Sequence, residues 1–226
     1  MGVSAGTLRV GASGFSFASW RPGFYPAGTK PEGFLGYYGQ RLQTVEINNS
    51  FYKLPAEATF AKWAASVPDG FRFAVKAPRA VTVFGRVDFA PDLNARVRAL
   101  GDRLGPLLVR LADKRTRDDD FLAKLLDAID PDLDVALDLR DPSWDGVEPL
   151  LERWGAVRVN QLEATAARYR YLRLRDTPYE DGELVRWAET VKGLLADGLD
   201  VYCYFKHEDE PTAPAYATRL AALVNG

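Results

Sequence analysis

The feature that most constrains this chain is the regular alternation of short apolar segments with helical patterns along its whole length. Eight segments rich in Val, Leu, Phe and Tyr have the length of strands, at 8–12, 44–48, 71–76, 107–111, 133–139, 156–160, 170–174 and 200–206. Apolar residues at helical spacing lie between them, as at 118–129 and 183–195. A helix between two strands carries the chain back across the sheet, so the strands pair in parallel. The sequence therefore predicts an α/β fold with a parallel sheet.

The number of these units selects one parallel architecture. Eight strand-helix units in 226 residues match a (β/α)8 TIM barrel. The stretch 161–169 is shorter than the dozen or so residues of a helical crossover, which predicts a sixth helix that is short or missing. An open doubly wound sheet is the alternative, but it usually carries a Gly-rich phosphate turn that Gly11-Ala-Ser-Gly14 does not match. Because no linker or low-complexity tract interrupts the chain, we predict a single TIM-barrel domain over residues 1–226.

Strand alternation predicts which side chains point into the barrel. Branched apolar residues should face the helices, which leaves a polar set facing inward near the carboxyl end of each strand. Glu46 and Asp138 are the acidic members. The basic members are Lys76, Arg110, Arg140, Arg173 and Lys206. TIM-barrel active sites lie at this rim, and the excess of positive charge favours a small anionic ligand, with or without phosphate. The alternative is a network of ion pairs that only closes the barrel.

Aromatic residues form a second group at the same predicted rim. Trp20, Tyr52 and Trp144 follow the first, second and fifth strands, where flat rings suit the stacking of sugars or bases. Ordinary packing is the alternative for each ring. The predicted substrate-binding residues are Ser13, Trp20, Asn48, Tyr52, Lys76, Arg79, Arg110, Arg140, Trp144, Arg173, Tyr204, Lys206 and His207.

Composition excludes several classes of protein. One cysteine and one histidine exclude an internal disulfide and a Cys/His zinc cluster within one chain. The net charge of -2 does not support a nucleic acid partner, although it allows a local basic pocket. With no signal core and no long apolar run, we expect a cytoplasmic protein without membrane contact. We expect no metal and no other cofactor, since cations surround the oxygen ligands Glu46, Asp138 and Asn48 that Mg²⁺ would need. The sequence does not give the oligomeric state.

Several motifs resemble those of one known family. They are Gly11-Ala-Ser-Gly-Phe-Ser-Phe17, Thr44-Val-Glu-Ile-Asn-Asn-Ser-Phe-Tyr52, Phe71-Arg-Phe-Ala-Val-Lys76, Leu137-Asp-Leu-Arg-Asp-Pro-Ser-Trp144 and Tyr202-Cys-Tyr-Phe205. In these motifs the chain resembles the YecE-like family, the proteins of domain of unknown function 72. The resemblance implies a TIM barrel. It implies no single activity, although the likeness of such barrels to phosphate-handling enzymes suggests nucleic-acid or sugar-phosphate chemistry.

The chain departs from the family pattern after four strands. Where the family usually reads Thr-His, Thr82 is followed by Val83, and Arg110-Leu-Ala-Asp113 replaces Gln-Leu-Pro-Pro. Arg175-Asp176 replaces His-Gly, and Lys206-His207 replaces Asn-Asn. These changes remove polar groups that a full member shows at its rim.

Three functions are compatible with these observations. The first is an enzyme that acts on a phosphorylated or anionic sugar-like or nucleotide ligand, with Glu46 and Asp138 as acid and base. The second is a non-catalytic protein that binds a nucleic-acid strand or an anionic metabolite. The third is a glycan hydrolase, which would need the two carboxylates roughly 5 to 10 Å apart.

Overall fold

The computed structural model describes residues 5–163 and 165–226. The strands found there are β1 (Leu8–Ala12), β2 (Thr44–Ile47), β3 (Arg72–Lys76), β4 (Leu104–Arg110), β5 (Val135–Asp138), β6 (Val157–Arg158), β7 (Tyr169–Leu174) and β8 (Asp200–Phe205). The α-helices are α1 (Phe34–Gly39), α2 (Glu57–Ala64), α3 (Arg79–Thr82), α4 (Ala90–Val97), α5 (Asp119–Asp127), α6 (Glu148–Leu151), α7 (Asp181–Ala196) and α8 (Thr212–Asn225).

The strand order is that of a (β/α)8 TIM barrel. The sheet runs β6-β5-β4-β3-β2-β1-β8-β7, so consecutive strands from β1 to β6 are neighbours in the sheet, as are β7 and β8. The first strand also pairs in parallel with the last, from Leu8 opposite Val201 to Ala12 opposite Phe205. This pairing separates the barrel from the open doubly wound sheet. No described residue between β6 and β7 is helical, so the predicted fold class and its missing sixth helix are confirmed.

The chain divides into two compact units. The first unit contains Met1–Glu46, Ala65–Arg72 and Arg168–Gly226, and the second contains Ile47–Ala64 and Phe73–Ala167. The single domain over residues 1–226 stays a prediction. Among the described residues, no helix combines the length and apolar character needed to cross a membrane.

In the first unit the backbone of β1 lies very close to that of β2 at Gly11. Gly11 lies opposite Thr44 of β2 and opposite Tyr204 of β8. The hydroxyl of Tyr38, on α1, accepts the N–H of Ala12 at 2.8 Å and donates to the carbonyl of Thr44 at 2.9 Å. A Cβ at position 11 would lie 1.9 Å from that carbonyl oxygen. Only glycine fits between these groups.

In the second unit the strand register sets the polar face. Lys76 lies opposite Leu108, and Arg110 lies opposite Asp138. Because alternate residues of a strand share a face, Lys76, Arg110 and Asp138 lie on one face of the sheet near the carboxyl ends of β3, β4 and β5. On α5, Leu122, Leu125 and Leu126 are buried, as the helical spacing predicts.

The close approach at Gly11 gives the first prediction. Gly11→Ala should lower the free energy of unfolding by at least about 2 kcal/mol, because the added methyl forces the β1 and β2 backbones apart. Urea denaturation measures this loss. Gly193→Ala, on α7, is the matched control, because nothing lies within 4 Å of its Cβ position. The control should gain up to about 1 kcal/mol from helix propensity. Equal effects of the two substitutions would contradict the steric argument.

Candidate functional site

Glu46 forms a buried ion pair in the first unit. Its carboxylate, on β2, is 0 % exposed, and the guanidinium of Arg173, on β7, is 2 % exposed. Arg173 Nε donates to Oε2 and Nη2 donates to Oε1, each at 2.9 Å. Ser13 Oγ donates to Oε1 at 2.8 Å, and the hydroxyl of Tyr171 donates to Oε2 at 2.9 Å. Each carboxylate oxygen therefore accepts at least two hydrogen bonds.

This geometry stabilises the ionised form of the carboxylate. The two N–H groups of a guanidinium match the two oxygens of a carboxylate, and such charge-assisted bonds are stronger than neutral ones. Acid-base chemistry would require Glu46 to exchange a proton with a ligand. Each of its oxygens already accepts at least two hydrogen bonds. A ligand would therefore first have to displace one of these donor groups.

Buried tyrosines surround this pair on the same face. The hydroxyl of Tyr204 lies 2.8 Å from Thr44 Oγ1, which donates to the carbonyl of Arg72 at 2.7 Å. Burial raises the pKa of Tyr204 and of Tyr171 well above the ordinary value, and the charge of Glu46 raises that of Tyr171 further. Both hydroxyls therefore keep their protons at neutral pH. Sequence reasoning missed Tyr171, although it lies two residues before Arg173 on the same strand and thus on the same face.

A charge-balanced network lies at the carboxyl ends of β4 and β5 in the second unit. Asp138 Oδ1 accepts Arg140 Nε at 3.2 Å, and Asp138 Oδ2 lies 3.8 Å from Arg110 Nε. Asp113 contacts the same two arginines, Arg110 at 2.7 Å and Arg140 at 3.7 Å. Two aspartates thus neutralise two arginines. Asp113 and Arg110 both belong to the segment that departs from the family pattern.

A third group combines aromatic rings with basic side chains after β2 and at the end of β3. Tyr52, Arg79 and Phe84 are exposed, whereas Phe51 is half-buried and Lys76 is buried. The ring of Phe51 lies 4.1 Å from Lys76 Nζ and 5.3 Å from the ring of Tyr52. The guanidinium of Arg79 lies 5.9 Å from the ring of Tyr52 and 5.7 Å from that of Phe84. We call these five residues the aromatic-basic surface. Phe84 was missed from the sequence, because nothing in its local pattern separates an exposed ring from a core one.

The remaining predicted residues have varied environments. Trp20 and Trp144 are fully buried, and their Nε1 atoms donate to the carbonyls of Glu208 and Arg115. Their contribution to ligand binding stays a prediction, and here they pack as core residues. Asn48 is half-buried directly after β2.

The residues after β8 lie near the surface. Lys206 Nζ lies 3.1 Å from Glu208 Oε1. His207 is exposed, and its ring stacks on that of Phe17 at 4.6 Å. The imidazole is therefore accessible, but a flat ring covers one of its faces.

Comparison with known proteins identifies the family. A family model described as "Protein of unknown function DUF72" matches residues 9–226. The chain belongs to the DUF72 family. The resemblance in the sequence motifs is thereby confirmed. A search of curated proteins finds no match for this DUF72 chain.

Solved structures of other DUF72 proteins share its fold. A DUF72 family protein from Thermotoga maritima is similar with a TM-score of 0.85 and 23% identity, over 97% of this chain and 100% of that one. A DUF72 family protein from Enterococcus faecalis is similar with a TM-score of 0.81 and 18% identity, over 97% of this chain and 96% of that one. At these identities the likeness shows the fold alone. Any functional argument must therefore come from the residues of this chain.

The buried ion pair predicts strong energetic coupling in this DUF72 protein. Glu46→Gln should lower the free energy of unfolding by about 3 to 5 kcal/mol, because it leaves the buried Arg173 guanidinium without its counter-charge. The double variant Glu46→Leu with Arg173→Met should be more stable than Glu46→Leu alone or Arg173→Met alone. Urea denaturation of the four proteins in this cycle measures the coupling. If the losses in the free energy of unfolding of the two single variants simply add in the double variant, the two side chains are not energetically coupled.

The buried tyrosines predict loss of stability at high pH. Burial raises the pKa of Tyr25, Tyr38, Tyr171 and Tyr204 above their ordinary value of 10.0. Above that pH the unfolded chain releases phenolic protons that the folded chain retains, so the free energy of unfolding falls as the pH rises. Below it, these groups add no pH dependence.

Urea midpoints from about pH 8 to pH 11 would measure this decline. Tyr204→Phe should reduce the slope of the free energy of unfolding against pH by the contribution of one proton, because it removes one buried phenol. An unchanged slope in Tyr204→Phe would contradict the assignment.

Proposed function

We propose that this protein binds a nucleotide or a single strand of nucleotides at the aromatic-basic surface. The observation that carries the proposal is the exposure of two rings that both contact one exposed arginine. Tyr52 is 73% exposed and Phe84 is 65% exposed, and both lie within cation-π distance of Arg79. Exposed rings of this size next to basic groups are typical of surfaces that stack bases and hold phosphates.

The charge of Arg79 supports a phosphate-bearing ligand. Its guanidinium is exposed and makes no hydrogen bond or ion pair with any described residue, although it contacts two rings. Many other arginines among the described residues pair with aspartate or glutamate, as Arg110 does with Asp113. Arg79 therefore has donors available for a bidentate bond to phosphate oxygens.

The position of the surface supports the same ligand. Lys76 ends β3, and Arg79 begins α3 three residues later. Phe51 and Tyr52 follow β2 through the short turn Asn49–Phe51. These segments are βα loops at the carboxyl ends of strands, where TIM barrels place their ligands.

A second candidate function is acid-base catalysis on an anionic sugar-like ligand, with Asp138 of the second unit as the acting carboxylate. The observation in its favour is the burial of Asp138 at the carboxyl end of β5, beside two arginines. Glu46, the other carboxylate predicted from the sequence, has at least four donors on its oxygens. This favours binding over catalysis as the primary proposal.

Calorimetric titration tests the primary proposal, with adenosine monophosphate, a short single-stranded oligonucleotide and inorganic phosphate as probes. Tyr52→Ala and Phe84→Ala should each weaken oligonucleotide binding about tenfold, because base-aromatic stacking contributes about 1 to 3 kcal/mol per base. Arg79→Ala should weaken binding of all phosphate-bearing probes. Affinity for the oligonucleotide should fall steeply as salt is added.

Arg153→Ala is the matched control for this titration. Arg153 is also exposed and lies 4.6 Å from an aromatic ring, that of Trp154. The substitution Arg153→Ala therefore removes one positive charge and one cation-π contact, as Arg79→Ala does, at a different place in the second unit. The proposal fails if no probe binds, or if Arg153→Ala weakens binding as much as Arg79→Ala. Turnover of a bound sugar phosphate that is lost in Asp138→Asn would favour the second candidate.

A further inference from the structure

We infer that a cavity at the carboxyl ends of β5 and β6 binds a neutral, polyhydroxylated ligand of monosaccharide size. The cavity has a volume of about 430 Å³, which lies at the small end of the range for small-molecule sites. Its polar lining includes Asp138, Glu148, Arg158, Asn160, Gln161 and Glu163. The inference shares no residue with the aromatic-basic surface and does not depend on the proposed function.

Gln161 supplies an unused hydrogen-bond donor to this cavity. Its side chain is 7% exposed, and its Oε1 accepts the backbone N–H of Arg158 at 3.2 Å. That bond fixes the orientation of the amide, whose NH2 group has no hydrogen-bond partner among the residues that the structure describes. Its Nε2 is not among the fully buried side-chain atoms that lack a partner, so the NH2 group faces the open cavity. A ligand that brings an acceptor into the cavity can pair with this donor.

The charges of the lining argue against an anion. Among the described lining residues, Arg158 carries the positive charge, and its guanidinium already binds other groups of the protein. Its Nη1 lies 3.1 Å from Asp145 Oδ1 and 3.3 Å from Glu148 Oε1, and its Nη2 donates to the carbonyl of Leu139 at 3.3 Å. Three carboxylates, those of Asp138, Glu148 and Glu163, line the same cavity. Asp138 is paired with Arg140 and Glu148 with Arg158, so the lining offers a phosphate or carboxylate ligand little net attraction.

Hydroxyl groups fit this combination of carboxylates and an amide N–H donor better than a metal ion does. A hydroxyl donates one hydrogen bond and accepts others, so a polyol can donate to the carboxylates while it accepts from the Gln161 amide. A metal ion would gain nothing from an N–H donor. In addition, no group of three metal-ligating side chains occurs in the described part of the chain.

The backbone after β6 places these groups at the strand ends. Asn160 has a φ of 62°, a left-handed conformation that Asn adopts more readily than most residues. The chain therefore turns directly after β6, and Gln161 follows at the carboxyl end of the strand. This is the end of the sheet at which TIM barrels bind their ligands.

The test is saturation-transfer NMR followed by titration, with ribose, glucose and sorbitol as probes. Gln161→Glu is the decisive variant, because it keeps the acceptor for the Arg158 N–H and replaces the NH2 donor with an acceptor. We expect the parent protein to bind at least one of the three probes and Gln161→Glu to bind it at least tenfold more weakly. Gln43→Glu makes the same exchange at an exposed position of the first unit and should leave sugar affinity unchanged.

Three results would overturn the inference. They are the absence of binding to all three probes, equal affinity of the parent and a folded Gln161→Glu variant, and equal weakening by Gln43→Glu. Urea denaturation of each variant establishes that it is folded. Arg79→Ala should retain sugar binding, so loss of nucleotide binding and loss of sugar binding can be told apart.

Discussion

The ion pair between Glu46 and Arg173 organises the polar face of the first unit. The two residues lie on β2 and β7, which are separated in the sheet by β1 and β8. Ser13, just after β1, and Tyr171 of β7 bind the same carboxylate. A charged pair with so little contact to solvent persists only when its geometry and additional hydrogen bonds offset the cost of desolvation. The close approach of the Gly11 backbone to Thr44 sets the spacing of β1 and β2 next to these side chains.

Strand alternation was enough to predict which residues share a face, but not which of them bind one another. Glu46 and Arg173 were placed on one face from the pattern alone, and the register agrees. The partners depend on the order of strands that are far apart in the chain, which a period of two does not encode. For the same reason Tyr171 was missed. The sixth strand was predicted too long, at 156–160, because the turn at Asn160 depends on a backbone conformation that apolar patterning does not report.

The electrostatic prediction from the sequence was a common rim with an excess of positive charge. In the second unit the strand-end arginine Arg110 is neutralised by Asp113, a residue of the following loop. Counting charges on strands alone omitted this partner. Arg79, which lies beyond the end of β3, has an exposed guanidinium with no acidic partner among the described residues. Loop residues decide whether a strand-end charge is available to a ligand, and loops are the part of a fold that sequence periodicity describes least.

Two chemically opposite sites within one unit are consistent with how this fold carries function. Each βα loop of a TIM barrel follows its own strand, so neighbouring loops change independently while the sheet beneath them is kept. The loops after β2 and β3 present rings and an arginine with no acidic partner, whereas those after β5 and β6 present carboxylates and an amide. A phosphate is attracted more to the first set than to the second, and an uncharged polyol can accept a hydrogen bond from the amide of the second. The two sets therefore differ in the charge that they present, and electrostatics discriminates between the ligands proposed for them.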